Sequence, residues 1–260
     1  PKEQDAAFVE HLKEMGFKPL DFVRPEDEPI ARSKPEDEQW DYVYLGGALP
    51  VEKPKLFYEA GVFRYELWGR ELAKLTRQVK ASFPEGTETG LNWSPHGSVW
   101  PDVRKWVNIN RDGGMTMPWS EDWWWQLPEA SPQTYGYLLD ALRHAADYNK
   151  GSVCFYVISS PGHTAENLLR MSYFALGHQV KVLDNFTIYH QGTQATCDYI
   201  DFMQSRDSYR AIHRITGAVG EIDERLYRAR MRPAEVAILM LKANDVWKTE
   251  NLLGHDNLNV

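Results

Sequence analysis

The sequence predicts an α/β protein of the (β/α)8 barrel type. From Phe57 onward, long helical patterns alternate with short apolar runs, which is typical of a parallel sheet with crossover helices. Four of these runs end in polar or aromatic residues: NWSPHG, PWSEDWWW, SSPGH and YHQGTQ. A doubly wound open sheet also places ligands at its strand ends, but usually at one switch point. Polar or aromatic residues follow all four strands, which favours the barrel. The sequence contains no G-x-G-x-x-G motif or P-loop that would support a nucleotide-binding sheet.

The first elements of the chain are helices joined by a polar connection. A short helix is predicted over 5–15, and a connection rich in proline and acid follows, with PEDE occurring twice. A long helix is predicted over 57–83. Trp68, Leu72, Leu75 and Val79 recur there at helical spacing, so we expect them on its buried side.

The remaining elements form the alternation itself. Strands are predicted within 87–97, 113–123, 152–162, 181–192 and 234–241. Helices are predicted over 131–148, 164–179 and 206–226. Thr164 is the expected N-cap of the second of these helices. The third is expected to bury one apolar face: Tyr209, Ile212, Ile215, Val219 and Ile222.

Composition excludes several classes of protein. With 43% hydrophobic and 25% charged residues, the chain is typical of a soluble globular protein. A net charge of −8 argues against nucleic-acid binding, which needs a basic face. No apolar stretch reaches membrane-spanning length. The two cysteines form neither a disulfide framework nor a zinc cluster, and the histidines lack metal-ligand spacing, so we expect no metal and no cofactor.

The main candidate site is the stretch MPWSEDWWWQLPEAS at residues 117–131. Trp119 and Trp123 belong to a tryptophan cluster that surrounds Glu121 and Asp122. Indole rings stack on sugar rings, and they also desolvate a nearby carboxylate, as an acid catalyst requires. Adjacent residues of an extended segment point apart, so Glu121 is chosen as the catalytic candidate and Asp122 as a binding residue. The alternative is an acid that caps a turn while the tryptophans pack beneath loops.

The other strand ends supply further candidates for substrate binding: Asn92, Trp93, His96, Tyr189 and His190. Their amide, imidazole and phenol groups suit sugar hydroxyls. The alternatives are turn residues and exposed side chains. Asp184 lies deeper in its strand, where a buried aspartate usually has a structural partner. Ser159, Ser160 and His163 suggest a serine nucleophile, but the G-x-S-x-G elbow of an α/β hydrolase is absent.

The order of several segments resembles glycoside hydrolase family 42, the β-galactosidase-like barrels of clan A. The segments are AAFVEHLKEMGFKPLDF, ASFPEGTETGLNWSP, FYVISSPGHTAENLLRMSYFALGH, VLDNFTIYHQ and RPAEVAILMLKANDVW. The resemblance implies that residues 1–230 carry strands five to eight of the barrel. It also implies that residues 231–260 begin a glutamine-amidotransferase-like domain that mediates trimerisation. A homo-oligomer is therefore expected. The missing half-barrel would come from an upstream part of the same polypeptide or from another chain.

The resemblance also bears on catalysis. The family's acid/base lies at the end of strand four, which would precede Pro1. Its nucleophile, a glutamate on strand seven, falls here on Ile158, Ser159 or Ser160, none of which is a carboxylate.

Together these observations predict a glycoside hydrolase-like protein, retaining if active, that acts on a β-galactoside or a related oligosaccharide or polysaccharide. The alternative is a non-catalytic carbohydrate-binding or scaffold barrel. The chain starts at Pro1 without an initiator Met or signal peptide, so we expect a segment of a longer polypeptide, and the cytoplasm and secretion both stay open.

Overall fold

The computed structural model describes residues 2–46, 52–93, 103–121, 132–158, 164–186, 206–239, 241, 243 and 246–247. The chain divides into two compact units. The first comprises residues 1–68 and 240–260, and the second comprises residues 69–239. The division falls within the longest helix, Pro54–Ala81.

The first unit is helical in its described residues. Its helices are α1 (Lys2–Glu14), α2 (Glu28–Ala31), α3 (Glu36–Gln39) and the first part of α4 (Pro54–Ala81). Phe8 of α1 packs on Phe63 of α4, with ring centroids 5.2 Å apart. Phe22 and Val23 are fully buried in the same core. The predicted surface connection therefore does more than link two helices, because its few apolar residues anchor it to the core.

Near the chain's end, two described residues return to this unit. Val246 lies against Gly61, where a Cβ atom would come within 2.7 Å of its Cγ1. Trp247 packs on Phe57, with ring centroids 5.2 Å apart. The glycine at position 61 thus leaves room for a side chain from far along the sequence.

The second unit contains a four-stranded parallel sheet and the helices that join its strands. The strands are β1 (Asn92–Trp93), β2 (Trp119–Glu121), β3 (Cys154–Ile158) and β4 (Val182–Phe186). The helices after α4 are α5 (Val103–Arg111), α6 (Pro132–Asp147), α7 (Ala165–Gly177), α8 (Arg206–Gly220) and α9 (Asp223–Arg228). In space the strands follow chain order, β1-β2-β3-β4. Helix α5 was not predicted from the sequence.

The sheet has two faces that alternate along each strand. On one, here called the Phe155 face, Phe155 packs edge-on against Tyr135 of α6 at 5.4 Å. On the same face, Val157 clusters with Leu168 of α7 and Ala211 of α8. The helices therefore cover the Phe155 face. The opposite face, here called the Tyr156 face, carries the register rows that contain Cys154 and Tyr156.

Helix α4 buries a different side from the one predicted. Leu75 and Trp68 are exposed, whereas Ala73 and Thr76 are buried. The Thr76 hydroxyl donates a hydrogen bond of 2.6 Å to the Gly114 carbonyl. A Cβ atom on Gly114 would lie 3.0 Å from the Cβ of Leu72, so this turn lies directly against the helix. Close approach of backbones selects small residues at the contact, and this outweighs the larger apolar side chains of the predicted stripe.

Two predictions concern α7 and α8, namely the N-cap of the first and the length of the second. The Thr164 hydroxyl accepts a hydrogen bond of 3.1 Å from the Asn167 N–H, which confirms it as the N-cap of α7. The predicted helix over 206–226 is interrupted, because α8 ends at Gly220 and α9 begins at Asp223. Ile212 and Ile215 are buried as predicted, but Ile222 lies at this break and is exposed.

The predicted strand over 234–241 is not observed in residues 234–239, which form neither helix nor strand. A strand needs a hydrogen-bonding neighbour, and among the described residues the sheet consists of β1 to β4 alone. The assignment of 231–260 to a separate domain stays a prediction. The barrel also stays a prediction, since four parallel strands in this order are common to closed barrels and open sheets.

Candidate functional site

The first two strands of the sheet contain four residues of the predicted site. Asn92 and Trp93 form β1, and Trp119 and Glu121 are the first and last residues of β2. The register pairs Asn92 with Trp119, so these two candidates are neighbours across the strands. His96, Asp122, Trp123, Tyr189 and His190 lie outside the described residues.

One register row combines two acids and a tyrosine. Glu121 on β2 pairs with Tyr156 on β3, and Tyr156 pairs with Asp184 on β4. Adjacent strands lie about 4.8 Å apart, so the Cα atoms of Glu121 and Asp184 are separated by roughly 9.5 Å. The row lies on the Tyr156 face, opposite the face that the helices cover.

Aromatic side chains adjoin this row. Trp119 meets Tyr156 edge-on, with ring centroids 4.6 Å apart and an interplanar angle of 68°. Both rings are half-buried. The indole Nε1 of Trp119 is buried without a hydrogen-bond partner among the described residues. Tyr156 is the register neighbour of the exposed Asp184, so an aromatic surface lies beside a carboxylate, a combination that suits stacking and hydrogen bonding to a sugar ring.

Asp184 differs from its predicted role. The sequence predicted a buried, structurally paired aspartate, but Asp184 is exposed. Position 184 is on the face away from the helices, so its carboxylate is directed out of the packed layer. We therefore include Asp184 in the candidate site, although the sequence predicted a structural role for it.

Cys154 is the first residue of β3 and lies on the same face as Tyr156, two residues before it. It is nearly fully buried, and this burial, followed by the negative charges of Asp184 and Glu88, raises its pKa to about 12. A thiol with so high a pKa stays protonated at neutral pH and is a poor nucleophile. Cys154 is therefore not a candidate nucleophile.

Tyr156 was not predicted as a site residue from the sequence. It lies within the apolar run VCFYVI, which was interpreted only as a buried strand. The available signal was the alternation of the run: Phe155 and Val157 share one face, and Tyr156 falls on the other. A tyrosine on the face opposite two buried apolar residues predicts a surface that meets water or ligand.

Other polar clusters in the described residues belong to the packing of helices. His178 Nδ1 lies 3.0 Å from Asp140 Oδ1, and Arg143 contacts the same carboxylate oxygen at 3.2 Å. The His178 ring also stacks near Phe174, with centroids 4.6 Å apart. These contacts join α6 to α7 on the outer layer. This pair is therefore structural.

The described residues include no group of three or more His, Cys, Asp or Glu side chains arranged to hold a metal ion. None of the helices in this part of the chain has the length and apolar character needed to cross a membrane.

Comparison with known proteins gives no relative for this chain: no family model, no curated protein and no solved structure matches it. The interpretation of the site therefore depends on its own residues.

Proposed function

We propose that this chain is a carbohydrate-active protein of the glycoside hydrolase type, acting on a β-galactoside or a related oligosaccharide. The observation that carries the proposal is the register row Glu121–Tyr156–Asp184, with Trp119 packed against the tyrosine. Glycoside hydrolysis needs two carboxyl groups on either side of the scissile bond. An aromatic ring between them gives the sugar a surface to lie on.

The two acids take different roles in this proposal. Glu121 protonates the glycosidic oxygen as its bond to the anomeric carbon breaks. Asp184, which is exposed, accepts a proton from the water whose oxygen attacks that carbon. The proton given up by Glu121 leaves on the released alcohol, and the proton from water resides on Asp184.

The roles proposed for the two acids correspond to inversion at the anomeric carbon. Retaining enzymes hold their carboxyl groups about 5–5.5 Å apart, and inverting enzymes hold them about 6.5–9.5 Å apart to make room for water. Two residues separated by two strand spacings, roughly 9.5 Å between Cα atoms, leave room for a water molecule between their side chains. The family resemblance implies retention instead, and the anomer of the first product distinguishes the two outcomes.

Hydrolysis of a nitrophenyl β-galactoside tests the proposal. Glu121→Gln and Asp184→Asn are each expected to lower kcat by roughly 10²–10⁴-fold, the usual contribution of a general acid or base. Asp207→Asn, at an exposed position on α8, is the matched control and is expected to retain full activity. Proton NMR of the first product anomer reports the stereochemistry. Unchanged turnover in Glu121→Gln removes that residue from the mechanism.

A second candidate function is carbohydrate binding without catalysis. It is favoured by the sequence at the end of β3, where Ile158, Ser159 and Ser160 stand in place of the nucleophile of the resembled family. The aromatic pair Trp119 and Tyr156 would then form the binding surface without any bond cleavage.

Isothermal titration with oligosaccharides separates the two candidates. Binding that is lost in Tyr156→Ala, with no turnover by the unmodified chain, supports the binding protein. Turnover that depends on Glu121 supports the hydrolase. If the chain neither binds nor cleaves any glycan of a broad panel, both candidates are wrong.

A further inference from the structure

An apolar groove runs between the second half of α4 and the residues that lead into β1. Its volume is about 350 Å³. The groove, here called the α4 groove, is lined chiefly by apolar residues: Leu72, Leu75, Val79, Phe83, Leu91 and Met115. Leu75 is 54% exposed and Phe83 is 57% exposed. β1 lies at one edge of the sheet among the described strands, so the groove adjoins a sheet edge. Such edges readily accept an added strand.

The same unit contains an exposed apolar segment with the composition of a strand. In residues 234–239, Val236 is 82% exposed, Ile238 is 74% exposed and Leu239 is 80% exposed. Monomeric proteins seldom expose several consecutive large apolar side chains, and such exposure marks interaction sites. The β-branched residues Val236 and Ile238 would share one face of an extended strand.

The chain leads into the segment from the edge of the sheet opposite the groove. Lys181, just before β4, donates hydrogen bonds to the carbonyls of Leu226 and Ala229 at the end of α9. The chain therefore leaves α9 beside the amino end of β4. The α4 groove adjoins β1, three strand spacings away, or about 14 Å. When two copies face each other with their strand orders reversed, the β4 edge of each copy lies beside the β1 edge of the other.

Charge favours the same pairing. Arg230 and Arg232 directly precede the segment and are exposed. Glu88 lines the α4 groove, and Glu85 precedes it by three residues. Both are exposed. The two arginines of one copy would then lie near the two glutamates of the other copy and attract them.

We propose that the α4 groove of one copy binds residues 234–239 of a second copy, so that the chain self-associates through a donor segment and an acceptor groove. Each copy carries both parts, and reciprocal exchange closes a symmetric dimer. The added segment lies along β1 and buries Val236 and Ile238 against the α4 side chains. This proposal is independent of the carbohydrate site, because neither part includes Glu121, Tyr156 or Asp184.

Light scattering coupled to size-exclusion chromatography, across a wide range of protein concentrations, tests the proposal. The unmodified chain is expected to dimerise. Ile238→Asp in the donor and Leu75→Asp in the acceptor are each expected to weaken the dimer by at least about tenfold, the effect of losing one buried aliphatic contact. Met15→Asp, an equally exposed apolar position at the end of α1, is the matched control and is expected to leave the dimer intact.

Mixing the two variants gives the decisive experiment. A chain with Leu75→Asp still offers its donor segment, and a chain with Ile238→Asp still offers its groove. An equal mixture is expected to form a heterodimer with one intact contact, which is more stable than the dimer of either variant alone. Hydrogen exchange of residues 234–239 is expected to slow in the unmodified dimer and not in Leu75→Asp. A monomer at every concentration, or a dimer that both substitutions leave unchanged, overturns the proposal.

Discussion

Gly151, in the turn between α6 and β3, is expected to tolerate no side chain. Its N–H donates a hydrogen bond of 3.1 Å to the Ala146 carbonyl, which closes the end of α6. A Cβ atom at this position would lie only 1.7 Å from the Thr116 carbonyl oxygen. Real Cβ contacts under 3.0 Å are essentially never seen, so the two backbones must separate by at least 3.0 − 1.7 = 1.3 Å. Thr116 leads into β2 and Gly151 leads into β3, so the shift acts on the strands that carry the register row.

The expected cost of Gly151→Ala follows from the nature of the contact. Overpacking costs about 1–3 kcal/mol, and sometimes more. Here the obstacle is a backbone carbonyl that cannot rotate away, so a value near 3 kcal/mol, approximately the upper limit, is expected. For a unit of this size, about 1 kcal/mol corresponds to roughly 2–4 °C in melting temperature. The substitution should therefore lower the melting temperature by roughly 6–12 °C.

Thermal unfolding followed by circular dichroism measures this change, and Gly217→Ala provides the control. Gly217 lies within α8, and a Cβ atom there would meet nothing within 4 Å. Alanine in a helix interior is favoured over glycine by about 0.5–1 kcal/mol, so the control should melt slightly higher. If Gly151→Ala melts at the same temperature as the unmodified chain, the close approach of these two turns is wrong.

Two further substitutions test contacts in the separate units. Replacing Lys181 by Met removes the ammonium donor from the carbonyls at the end of α9 and should destabilise that helix by about 1–2 kcal/mol, seen as faster hydrogen exchange in residues 223–228; unchanged exchange would contradict this role. Hydrogen bonds from Lys53 and then Arg32 hold the pKa of Glu28 below its ordinary value. The stability that Glu28 contributes is thus present above about pH 4.5, the ordinary value, and lost as the pH falls below it. Glu28→Gln should flatten the acid limb of a denaturation profile, and an identical profile would refute the coupling.

Strands β1 to β4 and helices α6 to α8 were predictable because hydrophobic periodicity records which faces are buried, whereas α5 was missed. The N-cap at Thr164 was predictable because its hydroxyl acts on a local backbone N–H. The buried side of α4 was not predictable from periodicity. It depends on the Gly114 turn, which packs against the helix from 38 residues away in the chain. Local patterns contain no information on such an approach.

The candidate site was predictable only in part for a related reason. Trp119 and Glu121 were predicted as site residues because the surrounding stretch is unusually rich in tryptophan. Tyr156 and Asp184 have ordinary neighbours in sequence, and they become a site only when the register places them beside Glu121. Register depends on pairing between strands that are distant in sequence, so it becomes visible in the sheet and not in the separate segments.

The agreement between chain order and spatial order in the sheet has a consequence for biosynthesis. Each strand after β1 pairs with the strand made immediately before it, so β2, β3 and β4 each find a partner that has already been translated. Chains emerge at about 5–20 residues per second, slowly enough for a newly made strand and helix to dock before the next appears. The sheet is therefore suited to grow strand by strand from β1 toward β4 on the ribosome.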